Sequence, residues 1–358
     1  MKETIRIGII GTGFGQSTML PSFRRTAGAE VVAIASARRE RAEAAAQANN
    51  IAMAFDDYRA MLAEAQLDLV CIATPVVTHA PITLAAIAAG CHVLCEKPMA
   101  MDRSEAVAML QAATDAGVVH MIDHELRFNP TRAKIAELLA NGSLGRVYHI
   151  HIRSISGMRG DPSRAWDWWS DRSRGGGALA ANGSHQVDLL RWWLGEITAV
   201  SGQLNTFVTA RPDPAQGGAL RAVDSDDQFS FSARFANGAQ ASVFVSYVAH
   251  YGGTNQVEIH GERGSLLLDQ ADRLWGKQLG GAVEELTVPD PLEGAPDLPN
   301  SVWARSFAHL AQELVPALRE GRAPQRGATF LDGLRCQQVL DAVRQSHVEE
   351  RWIAVHGE

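Results

Sequence analysis

The side chains of this sequence best suited to proton transfer are Lys97 and His185. Lys97 comes just after the apolar run 92–95, which has the character of a buried strand. In a doubly wound parallel sheet, ligands lie beyond the carboxyl ends of the strands, so Lys97 would face a ligand crevice. His185 follows a glycine-rich segment, and histidine exchanges protons near neutral pH. We take both as candidate acid–base groups; a surface lysine and a satisfied interdomain histidine are the plainer alternatives.

A glycine-rich turn near the start of the chain predicts a phosphate site. The apolar run 5–10 leads into glycines that allow a tight turn and a close approach of main-chain N–H groups to a pyrophosphate. The helix expected from about Ser17 would point its positive end at the same anion. The usual fingerprint has glycine or alanine where this chain has Gln16, so a turn without a ligand is the alternative. The predicted cofactor-binding residues here are Gly11, Thr12, Gly13, Phe14 and Gly15.

The end of the second expected strand bears on the choice of cofactor. An acidic residue there would bind the adenosine ribose and repel a 2′-phosphate, but this chain has Ser36, followed by Arg38 and Arg39. A hydroxyl adds no negative charge, and a guanidinium binds phosphate through two hydrogen bonds. The pattern favours NADP, with NAD as the second choice. The alternative is that both arginines merely begin a solvated helix.

Two further strand ends carry residues that would face the same crevice. Thr74 and Pro75 follow the buried run 67–73, and Glu96 precedes Lys97. The peptide bond between Lys97 and Pro98 can be cis, because the residue that follows it is proline.

The elements that must position these residues fall into two classes. Strand and helix signals alternate up to about residue 125, which predicts a doubly wound parallel sheet. From Arg146 onward, longer segments alternate polar and apolar residues, as strands of an open sheet with one solvated face do. The stretch 210–222 is rich in Pro, Gly and Ala and is expected to be a mobile loop. We expect a dinucleotide-binding domain over 1–125 and a substrate-binding and oligomerisation domain over 126–358.

Length and composition set outer limits on function. A chain of 358 residues usually splits into two domains, and 46% hydrophobic with 20% charged residues is an ordinary globular composition. A net charge of −7 without a basic run argues against a nucleic-acid surface.

No apolar run approaches the length of a membrane span, and no signal-peptide core begins the chain, so we expect a cytoplasmic protein. Four cysteines without metal-ligand spacing predict free thiols and no structural metal.

Taken in order, the motifs resemble those of the glucose-fructose oxidoreductase/inositol dehydrogenase (Gfo/Idh/MocA) family of nicotinamide-dependent oxidoreductases. The matching segments are Gly11–Gly15, Thr74-Pro75 with Thr78-His79, Glu96-Lys97-Pro98, Arg127-Phe-Asn-Pro130, and Gly175 through Gly183-Ser-His185 with Asp188. The resemblance implies an N-terminal Rossmann domain, a C-terminal α+β domain with a large open, mainly antiparallel sheet, and homodimers or homotetramers built through that sheet. It implies that Lys97 and His185 border a sugar, polyol or related hydroxyl compound. The matching motifs add His79 to the cofactor side. The candidate substrate-binding residues are Arg127, Asp167, Trp168 and Asn182.

One position departs from the family pattern. Many members resembling this chain carry an aspartate four residues before the histidine, where this chain has Ala181. The candidates to replace that carboxylate are Asp167, His124 and Tyr148. The tryptophans of the segment 166–169 are either core packing or a sugar-stacking wall.

Three functions remain open on the sequence alone. The first is NADP-dependent interconversion of a secondary alcohol and a carbonyl on a carbohydrate-like substrate, with Lys97 and His185 in proton transfer. The second is a redox-neutral sugar lyase or glycosidase that uses the cofactor transiently. The third is a catalytically silent dinucleotide-binding sensor, for which Ala181 is the argument.

Overall fold

The computed structural model describes residues 3–251 and 253–355. The first part of the chain alternates strands with helices. Its strands are β1 (Ile5–Ile10), β2 (Ala29–Ala35), β3 (Met53–Phe55), β4 (Leu69–Ile72), β5 (His92–Cys95) and β6 (His120–Ile122). Its helices are α1 (Leu20–Arg24), α2 (Arg39–Ala48), α3 (Tyr58–Glu64), α4 (His79–Ala88) and α5 (Arg103–Ala116). The strands pair in parallel in the order β3-β2-β1-β4-β5-β6, which confirms the predicted Rossmann sheet.

Both faces of this sheet are covered, which explains why its strands read as continuous apolar runs. Successive residues of a strand point to opposite faces, so Ile9 belongs to the core on one side and Ile10 to the core on the other. Cys71 and Ile72 of the neighbouring strand divide in the same way. The carboxyl ends of β1, β4, β5 and β6 therefore lie side by side at one edge of a sheet that is packed on both faces.

The second part of the chain is built around a larger sheet. Its elements are α6 (Pro130–Ala140), β7 (Val147–Ile155), α7 (Ser184–Leu194), β8 (Ile197–Asn205), β9 (Ala210–Asp213), β10 (Ala219–Ala222), β11 (Gln228–Phe235), β12 (Gln240–Ser246), β13 (Thr254–Gly261), β14 (Gly264–Leu268), β15 (Leu274–Gln278) and β16 (Val283–Glu285). The chain continues through α8 (Val302–Arg319), α9 (Phe330–Glu349) and β17 (Ile353–Ala354). Nine strands pair in the order β16-β15-β14-β13-β7-β12-β11-β8-β17, and only β7 and β12 pair in parallel. The expected large, mainly antiparallel sheet is confirmed.

The two faces of the large sheet differ in polarity. Ile150 and Ile152 of β7 are buried with Val243 of β12, whereas the alternate residues His151 and Ser242 point to the other side. This period of two is the pattern that identified the strands in the sequence.

The stretch 210–222 differs from its expected loop. Strands β9 and β10 form a separate antiparallel hairpin. Asp213 caps the turn by accepting a hydrogen bond from the Ala215 amide at 2.9 Å, and Arg221 pairs with the same carboxylate at 3.3 Å. The buried Arg211 guanidinium donates to the carbonyls of Asp161 and Arg159. Side-chain hydrogen bonds that composition does not reveal thus order this segment.

The chain groups into two compact units that are not continuous in sequence. One comprises residues up to Asn129 together with Asp290–Leu334, and the other Pro130–Pro289 with the residues from Arg335 onward. The expected assignment of 126–358 to one domain therefore does not describe residues 290–334. The physical reason is apolar packing, since Phe307 of α8 meets Phe14 and Phe23 edge to face at 6.0 and 5.6 Å.

Candidate active site

The glycine turn after β1 holds three glycines for different reasons. Gly11 has a φ of +116°, and a Cβ there would overlap the carbonyl oxygen of Ala73. A Cβ on Gly15 would lie 2.6 Å from Ile9 Cγ2. A Cβ on Gly13, by contrast, would meet no atom within 4 Å in the described chain. The fold itself requires Gly11 and Gly15, whereas Gly13 faces open space that suits the close approach of a pyrophosphate.

Of the three predicted phosphate residues that follow β2, Arg38 and Arg39 are exposed and Ser36 is half-buried. The hydroxyl of Ser36 accepts a hydrogen bond from the Arg38 amide at 3.4 Å, and Arg38 is exposed. Arg39 is engaged, because its guanidinium lies 2.7 Å from Glu43 and 3.5 Å from Asp56. Ser36 and Arg38 are therefore better placed than Arg39 to receive a 2′-phosphate.

His79 connects the two loops that end β4 and β5. Its Nε2 lies 2.9 Å from the Thr74 carbonyl and its Nδ1 lies 2.9 Å from the Pro98 carbonyl. Burial lowers the pKa of the imidazole, although hydrogen bonding to these carbonyls opposes that effect. The Thr78 hydroxyl donates toward Thr74 Oγ1 and the Pro75 carbonyl, both at 2.7 Å. His79 thus lies between the carbonyls of Thr74 and Pro98, and its neutral imidazole, with one N–H, donates to one of them.

Lys97 lies at the carboxyl end of β5, as the sequence predicts. Its ammonium nitrogen is 3.8 Å from Glu96 Oε2, and the two side chains are 19% and 11% exposed. The bond between Lys97 and Pro98 is cis. The lysine is neither fully buried nor a freely solvated surface residue, which is the setting an acid–base group needs.

Asp123 is a neighbour of this pair that the sequence analysis missed. It follows β6 directly, its amide donates to the Cys95 carbonyl at 2.8 Å, and its side chain is fully buried. The rule that located Lys97, a polar residue at the end of a buried strand, applies equally to Asp123 and could have found it.

Arg127 is committed to an ion pair inside its own unit. Its guanidinium lies 3.1 Å from Asp332, near the start of α9, and its side chain is 7% exposed. Arg127, which the sequence predicts to bind substrate, thus links the turn after β6 to α9 through this ion pair. The separation of 205 positions explains why no sequence signal revealed the pair.

In the second unit, His185 occupies the first turn of α7. A π-helical turn, Leu179–Gly183, precedes it and contains Ala181 and Asn182. The Asn182 side-chain oxygen accepts a hydrogen bond from Gln186 at 2.8 Å. His185 and Asp188 are 4% and 1% exposed, one helical turn apart. His185 therefore lies on a buried, polar helix start.

Asp167 forms a two-pronged ion pair with Arg159. The two guanidinium nitrogens lie 2.7 and 3.0 Å from the two carboxylate oxygens. Burial alone would raise the pKa of Asp167, but the hydrogen bond and charge of Arg159 outweigh it and keep that pKa below its usual range. Asp167 is therefore an ionised partner of Arg159.

The tryptophans of this segment are not core residues. Trp166, Trp168 and Trp169 are each half-buried. The Arg159 guanidinium lies 4.1 Å above the Trp169 ring, and Tyr247 is 5.9 Å from it. Half-buried tryptophans in contact with a charged side chain do not fit the core-packing alternative.

The other two candidates for the missing carboxylate differ in setting. His124 is buried beside Asp123, whereas Tyr148 is 42% exposed and stacks on Arg146.

Comparison with known proteins decides the family. The model described as "Oxidoreductase family, NAD-binding Rossmann fold" matches residues 5–124, and the "GFO/IDH/MocA C-terminal domain" matches 133–267. An uncharacterized oxidoreductase of Synechocystis sp. is 32% identical, with 98% of this chain and 96% of that protein covered. The chain belongs to the Gfo/Idh/MocA family. It is an oxidoreductase.

Levoglucosan dehydrogenase is similar to this chain in sequence and in structure. The levoglucosan dehydrogenase of Pseudarthrobacter phenanthrenivorans is 30% identical, with 99% of this chain and 98% of that protein covered. A solved levoglucosan dehydrogenase in complex with NADH and L-sorbose superposes with a TM-score of 0.89 at 27% identity, each chain covered fully. Within residues 3–251 and 253–355, no helix is long and apolar enough to cross a membrane.

Proposed function

We propose that this protein is an NADP-dependent oxidoreductase that interconverts a secondary alcohol and a carbonyl on a sugar, polyol or related compound. The observation that carries the proposal is the position of Lys97 at the carboxyl end of β5. Strand β1 of the same parallel sheet leads into the glycine turn, where Gly13 faces open space. The nicotinamide, when bound, would supply the acceptor or donor of hydride.

Lys97 would serve the oxygen of the reacting carbon. In carbonyl reduction its ammonium group donates a proton to that oxygen, and in alcohol oxidation the neutral amine accepts it. His185 would assist this proton transfer. The paired Glu96 fixes the lysine side chain, which keeps the donor in one position rather than in a mobile surface arrangement.

The preference for NADP rests on Ser36 and Arg38. Ser36, directly after β2, carries no charge that would repel a 2′-phosphate, and the exposed Arg38 two residues further on is cationic. The related levoglucosan dehydrogenase was solved with NADH, so the preference needs a direct test.

The test is a calorimetric titration of the purified protein with NADP and with NAD. We expect NADP to bind more tightly, and Arg38→Ala to weaken NADP by about 10- to 100-fold, the value of a charge-assisted hydrogen bond. Ser36→Asp should reverse the preference. The control variant Arg41→Ala, at an exposed arginine of α2, should leave the affinity for both cofactors unchanged. Tighter binding of NAD by the unaltered protein would overturn this part of the proposal.

A carbohydrate-like substrate is supported by the second unit. The Asp167 carboxylate, on a side chain that is 39% exposed, and the half-buried Trp169 ring lie in one cluster with Arg159. Such groups bind hydroxyls and the apolar face of a sugar ring. The relative that acts on levoglucosan, an anhydrosugar, points to the same class of substrate.

We also propose that the protein forms a homodimer or homotetramer through the open face of the large sheet. On that face a shallow groove of about 530 Å³ runs along a row of polar side chains. The register places them in line across five strands: Ser201, Ser232, Ser242, His151 and Glu258.

A further inference from the structure

Two buried carboxyl groups meet beside Lys97. Glu96 ends β5 and Asp123 ends β6, and these strands are neighbours paired in parallel. Glu96 is 8% exposed and Asp123 is fully buried. The two side chains lie within hydrogen-bonding reach of each other.

The described chain offers these carboxyl groups few donors. No N–H or hydroxyl group among residues 3–251 and 253–355 donates to either oxygen of Asp123 or to Oε1 of Glu96. A buried carboxylate without a donor loses its hydration without compensation. Two adjacent carboxylates would also repel each other, so one of the pair must carry a proton and donate it to the other.

The surrounding charges decide which carboxyl holds the proton. Lys97 lies 3.8 Å from Glu96 and favours a negative charge there. Asp123 faces a second acid, Glu125, on the following turn. Lys97 also acts on Asp123 and lowers its pKa, as the smallest of the effects on that group, and the buried His124 follows Asp123 in the chain. The thiols of Cys71 in β4 and Cys95 in β5 are buried nearby, and burial raises the pKa of both.

Electrostatics point the same way as the contacts. Burial raises the pKa of Asp123 well above its usual range, and the charges of Glu125 and Glu96 raise it further. Burial also raises the pKa of Glu96, but Lys97 and the hydrogen bond from Asp123 act against that effect.

We propose that Asp123 stays protonated at neutral pH and donates a hydrogen bond to Glu96, which remains ionised and holds Lys97. Asp123 is then a positioning residue that acts on Lys97 through Glu96. This consequence rests on the proposed role of Lys97, whereas the shared proton itself does not. The arrangement gives Lys97 a fixed carboxylate partner within its own unit. This chain lacks the aspartate that many family members carry at the position of Ala181.

The test is infrared spectroscopy of the protein without added ligand at pH 8. We expect the C=O stretch of a protonated carboxylic acid, which should move when aspartate is labelled with ¹³C at its carboxyl carbon. It should vanish in Asp123→Asn and persist in Asp226→Asn, since Asp226, another buried acid, has a pKa of about 6 and is ionised at pH 8. No acid band at pH 8, or a band that the aspartate label leaves in place, would overturn the proposal. The labelling result does not depend on how well a variant folds.

Turnover gives a second, independent readout. Asp123→Asn keeps a neutral donor to Glu96, so kcat should stay within about threefold of the unaltered protein. Asp123→Ala removes the donor, and kcat should fall about tenfold, the effect of one hydrogen bond to a charged group. An Asp123→Asn variant that loses as much activity as Asp123→Ala would contradict a neutral Asp123. If no substrate turns over at all, the proposed function fails while the infrared result stands by itself.

Discussion

Gly11 and Gly13 belong to one turn but are constrained by different neighbours. Gly11→Ala should destabilise the protein, because a Cβ would overlap the Ala73 carbonyl and the φ of +116° is unfavourable for alanine. Gly13→Ala should leave the unfolding temperature unchanged, since its Cβ meets no described atom within 4 Å, and should weaken dinucleotide binding. Thermal unfolding and calorimetry on both variants check this. Equal affinity in Gly13→Ala would show that no phosphate approaches this glycine.

Asp226 makes stability depend on pH. Burial raises its pKa to about 6, despite a hydrogen bond of 2.7 Å from the Leu179 amide. Between pH 4 and 6 the folded protein keeps a proton that the unfolded chain has released, so the free energy of unfolding decreases as pH rises. The total loss is about 3 kcal/mol, from a shift of roughly two pKa units.

The variant Asp226→Asn should lack this contribution. As pH rises from 4 to 7, the free energy of unfolding of Asp226→Asn should increase relative to that of the unaltered protein, so the variant becomes the more stable of the two by comparison. Urea denaturation at several pH values measures the difference, and parallel curves for the two proteins would contradict the assignment.

The sequence located single residues best where one local rule applied. Lys97 and Thr74 were placed correctly because both follow buried strands of a parallel sheet. The ion pair of Arg127 with Asp332 and that of Arg159 with Asp167 depend on folded geometry, which spacing does not encode. Asp123 was missed although the same strand-end rule applies to it.

At the scale of elements, helix α8 completes the core of the first sheet. Phe307 is fully buried and packs edge to face on Phe14 and Phe23. Phe307→Ala should lower the free energy of unfolding by about 3–5 kcal/mol, because it leaves a cavity. Phe207→Ala, at a phenylalanine that is 63% exposed, should cost less than about 1 kcal/mol. Equal losses in denaturant titrations would mean that α8 does not pack as described.

The periodicity of the sequence predicted most strands and helices but not all their partners. The alternating pattern of β7 and β12 identifies strands, yet their parallel pairing inside an antiparallel sheet leaves no local trace. The hairpin of β9 and β10 was hidden by its turn-forming composition. The sequence does not predict which sheet α8 packs against, since the apolar face of a helix can cover the exposed apolar face of either sheet.

At the scale of the whole molecule, the proposed oligomer depends on the open sheet face. Phe244 lies on this face and is 42% exposed. Phe244→Glu should convert the oligomer to monomers, since an unpaired buried charge is costly at an interface. Val348→Glu, at a residue of α9 that is 78% exposed, should leave the mass unchanged. Light scattering after gel filtration measures the mass; a monomeric unaltered protein would contradict the proposal.

The measurement that tests the central claim most directly is hydride transfer in both directions, followed by the absorbance of the reduced nicotinamide. The probes are a panel of anhydrosugars, aldoses and polyols, including levoglucosan with NADP and L-sorbose with NADPH. We expect turnover with at least one pair, and Lys97→Met should lower kcat by about 10²- to 10⁴-fold while cofactor affinity stays the same. The matched variant Lys134→Met, at a lysine paired with Glu137, should retain full activity. Undiminished turnover in Lys97→Met, or tight cofactor binding without turnover of any probe, would contradict the account.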